Sequence, residues 1–257
     1  MRRCLLLIFV ALLMRSDGLG ATPPTPIVVE LFTSEGCSDC PPADTLLEKL
    51  IATQPVAGAE IIALGEHVDY WDRLGWKDRF SSAVLTNRQQ LYQTRFGTES
   101  IYTPQMVVDG RAEFVGSDAA AARKAIERTL RLPHGTVKID LSGAGALQVA
   151  VAVSDLPPVA RGDRADIVIL VTESGLRTEV KRGENRGHTL SHAPVVRYLA
   201  TIGQVAEEGS TTAPARAEIP LAADWQRDRL AVVAFVQQVR GRTILAAASV
   251  PLKNARP

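Results

Sequence analysis

Glu35-Gly36-Cys37-Ser38-Asp39-Cys40-Pro41-Pro42 spaces two cysteines by two residues, directly after the apolar run Ile27 to Phe32. Two thiols at this spacing can close a reversible disulfide or give a metal two soft ligands. As a structural staple the pair would achieve little. Closing so short a loop stabilises a chain by about 2 kcal/mol, and a chain this long with 46% apolar residues builds a core without it. Redox or metal chemistry is therefore the stronger reading. A second group follows in His67-Val68-Asp69-Tyr70-Trp71-Asp72, with Trp76 close behind. His67 or Asp69 could carry protons for the sulfurs, and Tyr70, Trp71 and Trp76 could line a substrate groove. Equally, the segment could be a packed insertion, its rings covering the next helix, His67 hydrogen-bonded and Asp72 serving as a cap.

The elements that must position these groups are legible in the apolar pattern. Ile27 to Phe32 and Glu60 to Gly65 read as buried strands, and Leu46-Leu47 with Leu50-Ile51 has helical spacing after the two prolines. Ser82 to Phe96 reads as a helix. Gln105 to Val108 and Ala112 to Val115 flank Asp109-Gly110, a hairpin signal, and Ser117 can cap a last helix through Leu130. The order is β-α-β-α-β-β-α. A strand running into Cys-x-x-Cys at the start of a helix is the thioredoxin arrangement. There the helix N-terminus stabilises the first cysteine as thiolate. Cys37 is then the exposed attacking sulfur, and Cys40 the buried one that resolves the intermediate. Pro41 and Pro42 fit the first turn, where amides lack helical partners. Thr103-Pro104 heads the third strand, where that fold carries a cis-proline facing the sulfurs, with the preceding residue's backbone open to a substrate strand.

From Gly135 onward the character changes. Val137–Leu141, Leu147–Val153, Ile167–Val171, Val195–Leu199, Leu230–Val236 and Ile244–Val250 are short apolar or alternating runs between Gly, Pro and Asp clusters. They predict an antiparallel β-sandwich. The expected organisation is a signal peptide over 1–21, a thioredoxin-like domain over 26–132 and a β-sandwich domain over 133–257, with Leu132-Pro133-His134-Gly135 as linker. The signal reading rests on Met1-Arg2-Arg3, the apolar run Cys4 to Met14 and the small residues Gly18 to Ala21. That run is short for a bilayer, which takes roughly 20 apolar residues. No other segment reads as membrane-spanning. Cleavage would remove Cys4 and leave Cys37 and Cys40 as the only thiols, in an oxidising compartment where disulfides persist. The net charge of +1 offers no basic surplus for nucleic acid.

Three stretches together resemble one family: Val28 to Asp44, His67-Val68-Asp69-Tyr70-Trp71-Asp72-x-x-Gly75-Trp76-Lys77-Asp78, and Tyr102-Thr103-Pro104-Gln105-Met106-Val107-Val108. They are similar to secreted bacterial proteins grouped as domain of unknown function 1223, within the thioredoxin-like superfamily. Arg182-Gly183-Glu184-Asn185-x-Gly187, His192 and Val195-Val196-Arg197 extend the resemblance into the second half. It implies an exported bacterial protein, periplasmic or secreted, but not an activity, because a fold hosts many chemistries.

The cysteine pair departs from usual thioredoxin surroundings. Gly36 precedes Cys37 where a Trp is common, Glu35 stands before it, and Ser38-Asp39 replaces Gly-Pro between the sulfurs. A carboxylate at Asp39 opposes a thiolate at Cys37, which favours a reducing or isomerising pair over a strong oxidant. The resulting expectation is thiol-disulfide exchange on a protein or small thiol or disulfide substrate. Cys37, Cys40, Thr103 and Pro104 carry it, Glu35, Asp39, His67 and Asp69 modulate it, and no cofactor beyond the Cys37–Cys40 disulfide is needed.

A copper site built from Cys37, Cys40 and His67 is the main alternative. A third reading makes the sandwich a non-catalytic binding module that the thiols merely support. Structural zinc through His188 and His192 is weaker, because a domain boundary separates them from the cysteines. Arg182, Glu184, Asn185 and Arg186 read as a solvated turn or as a contact between the domains. No phosphate loop, nucleophile elbow or His-Glu-x-x-His is present.

Overall fold

The computed structural model describes residues 23–143, 146–205 and 214–255. The expected signal peptide, residues 1–21, lies outside them. Among the described residues no helix is long and apolar enough to cross a membrane.

The first half follows the expected order: β1 (Thr25–Thr33), α1 (Pro41–Thr53), β2 (Ala59–His67), α2 (Ala83–Phe96), β3 (Gln105–Val108), β4 (Ala112–Val115) and α3 (Ala119–Leu130). Cys40 is the N-cap of α1 and the two prolines fill its first helical positions. Ser82 caps α2 by accepting from the Val84 N–H. The cap of α3 is Asp118 and not Ser117; its side chain accepts from the Ala121 N–H at 2.9 Å. Strands β1 and β2 are parallel, and β3 returns antiparallel beside β1. Alternate residues of these strands face opposite ways. Ile27, Val29, Leu31, Ile61 and Ala63 meet α1 and α3, whereas Val28, Ile62 and Leu64 meet Leu85 of α2.

The second half contains β5 (Thr136–Ser142), β6 (Leu147–Ser154), β7 (Ala165–Glu173), β8 (Arg177–Glu179), β9 (Thr189–Ser191), β10 (Val195–Val205), β11 (Ala215–Ile219), β12 (Leu230–Gln238) and β13 (Ile244–Pro251). All six apolar runs are strands. β8, β9 and β11 add to them, with Arg-Thr-Glu, Thr-Leu-Ser and Ala-Arg-Ala-Glu-Ile offering little apolar signal.

The sequence boundary at 132/133 does not divide the main sheet. One eight-stranded sheet runs β13-β12-β7-β10-β2-β1-β3-β4, so strands of both halves share it. The seam is β10 against β2, where Val195 pairs with Gly65 and the Gly65 N–H donates to the Pro194 carbonyl at 2.8 Å. The three-stranded sheet β11-β6-β5 packs on the second-half strands through a core that includes Leu147, Val151, Ile167, Ile169 and Val232. The architecture is thus mixed α/β and mostly sheet, with a sandwich-like layer over one end.

Two polar anchors hold the halves together. At the Asp109-Gly110 turn both residues have positive φ, as the hairpin turn requires. A Cβ on Gly110 would stand 1.9 Å from the Arg242 carbonyl oxygen, so only glycine fits there. Behind α2, the Arg88 guanidinium donates to Glu30 at 2.6 Å and Gln237 at 2.9 Å, and lies 3.3 Å from Glu66. The Tyr92 hydroxyl also donates to Glu30. Burial, with Glu30 beside it, pushes the Glu66 carboxyl well above the ordinary range.

Candidate functional site

The cysteines lie where β1 ends and α1 begins, beside the end of β2. That is the carboxyl edge of adjacent parallel strands, a common ligand position in α/β sheets. Cys37 and Cys40 are joined by a disulfide, with Cα atoms 5.4 Å apart. The local backbone is a tight turn, the Cys40 N–H donating to the Cys37 carbonyl at 3.3 Å. Pro41 and Pro42 carry no N–H, and those of Ala43 and Asp44 both donate to the Cys40 carbonyl. The helix therefore presents few free amides to a thiolate, although its dipole remains.

Cys37 is 1% exposed and Cys40 is fully buried, whereas Ser38 and Asp39 are exposed. The expectation of an exposed Cys37 is not met, and a loop of the second half lies against its backbone. The Asn185 carboxamide donates to the Glu35 carbonyl at 3.0 Å and to the Cys37 carbonyl at 2.9 Å. Glu184 Oε2 accepts from the Ser38 N–H at 3.1 Å. A Cβ on Gly183 would stand 3.1 Å from Trp76 Cβ, which places this loop against the segment after β2. The Arg182–Arg186 turn is thus a contact between the halves.

The Thr103–Pro104 peptide is cis. A Cβ on Gly116 would lie 3.0 Å from Pro104 Cβ and 3.1 Å from Ala43 Cβ, so the proline stands against the first turn of α1. The Thr103 hydroxyl accepts from Trp71 Nε1 at 2.8 Å. Its backbone N–H and C=O have no backbone partner among the described residues.

Behind the disulfide is a buried cluster of acids and imidazoles. Asp44 lies one turn beyond Cys40 on α1, on the same helix face. Its Oδ2 accepts from the Thr33 hydroxyl at 2.9 Å, and Oδ1 has no partner. Burial pushes its carboxyl up to about 6, against the attraction of His67. His67 Nδ1 lies 2.6 Å from Asp78 Oδ2. Burial alone would lower His67, but Asp78, with Asp44 and Glu35 nearby, holds it above its ordinary value. Burial works against the Asp78 carboxylate as well, and His67 overcomes it to hold that group below its ordinary value. His67 Nε2 is buried without a hydrogen-bond partner. His192 Nε2 lies 3.3 Å from Glu35 Oε1, and its ring stands edge-on to His67 with centroids 5.1 Å apart. Trp76 Nε1 donates to Glu35 Oε2 at 2.7 Å.

Of the residues singled out in the sequence, Glu35, His67, Trp71 and Trp76 gather around the cysteine loop and Thr103. Tyr70 is half-buried and donates to Gln89 on α2 at 3.2 Å; burial raises its hydroxyl to about 12. Asp69 does not join the cluster, because its carboxylate is held by the Thr86 hydroxyl of α2 at 2.6 Å. Asp72 caps the loop, accepting from the Asp78 N–H and the Ser81 hydroxyl.

Asp44, Asp78 and His192 have no role at the cysteines in the sequence reading, His192 being weighed only as a zinc ligand, whereas Glu184 and Asn185 stand there as a solvated turn or a contact between the domains, and the contact is found. Asp44 alone carried a usable signal, an acid four residues after Cys40 on a face that must be buried. The copper alternative would use Cys37, Cys40 and His67. Both its sulfurs are in the disulfide, and among the described residues no group of three or more His, Cys, Asp or Glu is arranged to hold a metal ion.

No curated protein matches the chain. Among solved structures, the crystal structure of protein AGR_C_4864 from Agrobacterium tumefaciens is 27% identical with a TM-score of 0.65, covering 92% of this chain and 99% of that one. HBP35 of Porphyromonas gingivalis has the same TM-score at 17% identity, covering 92% of this chain and 78% of that one, a likeness of fold. A family model described as protein of unknown function (DUF1223) matches residues 28–237, and the chain belongs to that family.

Proposed function

We propose that this protein is an exported, thioredoxin-like thiol-disulfide oxidoreductase working through Cys37 and Cys40. The observation that carries the reading is a closed Cys-x-x-Cys disulfide at the head of α1 with a buried acid, Asp44, its carboxyl raised to about 6, one turn behind it. The βαβαββα order and the cis Thr103–Pro104 peptide beside the first turn of α1 support it.

Starting from the dithiol, Cys37 as thiolate attacks one sulfur of a substrate disulfide. A mixed disulfide forms, and the other substrate sulfur leaves as thiolate and takes a proton. Asp44 accepts the Cys40 proton, and Cys40 attacks the Cys37 sulfur. The second substrate sulfur leaves as thiolate and takes a proton as Asp44 gives up the one it accepted, and the Cys37–Cys40 disulfide returns. Two electrons and two protons pass to the substrate, and an external dithiol donor restores the protein. A substrate strand pairs with the free backbone of Thr103 while Trp71 holds its hydroxyl aside. A pair opposed by Asp39 and offered few free amides works in the reducing or isomerising direction.

The test is a Cys40→Ser variant recovered from the exported fraction and resolved without reductant. Mixed disulfides through Cys37, lost in Cys37→Ser/Cys40→Ser, are expected. Their absence, together with no exchange between the reduced protein and model disulfides, overturns the reading.

A further inference from the structure

Three buried polar atoms near the cysteine loop have no hydrogen-bond partner: Glu35 Oε1, Asp44 Oδ1 and His67 Nε2. Glu35 Oε1 still has His192 Nε2 at 3.3 Å. Asp44 and His67 are therefore the two with an open end, and the strands bring them together. Thr33 and His67 are register partners on β1 and β2. Side chains alternate along a strand, so both lie on the face of Leu31 and Ala63, which α1 covers. Asp44, in the first turn of α1, accepts the Thr33 hydroxyl on Oδ2 at 2.9 Å. Its carboxyl is thus bonded to the residue directly beside His67.

Asp78 decides which end of His67 is open. Its Oδ2 lies 2.6 Å from His67 Nδ1 and accepts the Glu35 N–H at 2.9 Å, while Oδ1 accepts the Phe80 N–H at 2.8 Å. An imidazole oriented through one nitrogen by a carboxylate presents the other. The remaining charged and titratable groups that face the pair are Glu35 beside His67, and Asp78 and His192 beside Asp44. His192 Nε2 is shared between Glu35 and the Thr178 hydroxyl at 3.2 Å, and Glu35 Oε2 accepts from Trp76 Nε1.

Burial opposes charge on both partners. On His67 the Asp78 carboxylate outweighs it, aided by Asp44 and Glu35. On Asp44 burial prevails and raises the carboxyl to about 6, and His67 is the strongest influence against it. Without that cation the carboxyl would hold its proton to a higher pH. A protonated Asp44 cannot take the proton of Cys40.

Resting on the oxidoreductase reading above, we infer that His67, oriented by Asp78, is the positioning residue of the resolving step, its charge keeping Asp44 Oδ1 free to receive the Cys40 proton. No proton passes through His67 itself. Asp44 takes the Cys40 proton as the Cys40 sulfur bonds to the Cys37 sulfur. The bond from Cys37 to the substrate breaks with its electron pair on the substrate sulfur, and Asp44 then gives its proton to that thiolate or to water.

The experiment mixes the full exported chain, pre-reduced and freed of reductant, with one equivalent of dithiobis(nitrobenzoate), which releases a coloured thiolate at each step. The first release reports attack by Cys37 and the second reports closure by Cys40. In the parent the rate of the second release is expected to rise with pH about a midpoint near 6. His67→Gln is expected to move that midpoint up by about one pH unit, and Asp44→Asn to slow the release and abolish the midpoint. A slower His67→Gln with an unmoved midpoint, or a midpoint that persists in Asp44→Asn, overturns the inference and leaves the oxidoreductase reading standing. A second measurement needs no variant: the Asp44 carboxyl resonance of the oxidised parent should show a further step where the His67 ring loses its proton, and its absence overturns the inference too. A parent that makes neither release overturns both.

Discussion

Asn185 donates through one carboxamide nitrogen to the carbonyls of Glu35 and Cys37, at 3.0 and 2.9 Å, from 148 residues beyond Cys37 in sequence. It is 6% exposed, so both bonds are sheltered from water. The second half of the chain therefore takes part in the cysteine site. A turn that reads in sequence as solvated or as a contact between the domains supplies one buried amide that fastens it to the cysteine loop.

Asn185→Ala removes that fastening and leaves two buried carbonyls without a donor. A loss of about 2 kcal/mol in stability is expected, together with faster alkylation of Cys37 in the reduced protein by a bulky maleimide. Unchanged alkylation, with the stability loss present, would mean that the loop does not control access to the sulfur.

Asp44→Asn separates stability from function. The carboxyl is raised from 3.8 to about 6 by burial, so the folded state holds its proton more tightly than the unfolded chain. Stability is therefore lost as pH rises from about 4 to 6, a span worth about 3 kcal/mol. The asparagine keeps an acceptor for Thr33 and avoids that cost. Denaturant midpoints should match the parent at pH 4 and exceed it at pH 8, while closure of the mixed disulfide by Cys40 slows about a hundredfold. A variant less stable at pH 8 than at pH 4, relative to the parent, refutes the argument.

Most strands and helices are legible in sequence because their apolar periodicity is local. The cysteine site is legible in part, for the same reason. Cys37, Cys40, Thr103 and Pro104 announce themselves by short spacing and by position in the element order. His192 and Asn185 do not, since nothing near either residue in sequence mentions the cysteines. They reach the site because β10 docks beside β2 at Gly65, a long-range pairing without a local signature. Asp69 misled for the converse reason. It stands two residues from His67, but a continuing chain can turn such neighbours apart, and Thr86 takes its carboxylate.

Arg88 tests how the halves are held. It is 5% exposed and is the cation for Glu30, with Glu66 3.3 Å away. Arg88→Met should cost about 4 kcal/mol, because breaking a buried pair leaves uncompensated charge. Glu30→Gln added to Arg88→Met should recover a large part of that loss. Absence of any recovery would assign the cost to lost stacking of the Arg88 guanidinium over Phe235 and Tyr92.

Asp39→Asn addresses direction. Asp39 is exposed between the two sulfurs, so its removal changes charge with little change in packing. Removing a negative charge stabilises the Cys37 thiolate and with it the reduced form. The reduction potential, measured by equilibration with glutathione, should rise. An unchanged or lower value sinks the claim that Asp39 makes the pair reducing.

The His67–Asp78 pair predicts a pH window. His67 is held above its ordinary 6.5, so its contribution is complete below that pH and is lost as pH rises through the folded value. Asp78 is held below its ordinary 3.8, so its contribution is complete above that pH and is lost as pH falls through the folded value. Between these limits both charges are present and the pair contributes fully. His67→Gln leaves Asp78 buried without its cation, at a cost of about 3 to 5 kcal/mol near pH 5. Above pH 6.5 the parent gradually loses the same charge, so the stability difference between parent and variant should narrow on the alkaline side. Chemical denaturation of both proteins at pH 5, 7 and 9 measures this directly. A difference that stays constant across the three would show that His67 supports the fold by packing against Phe80 and His192 and not by its charge.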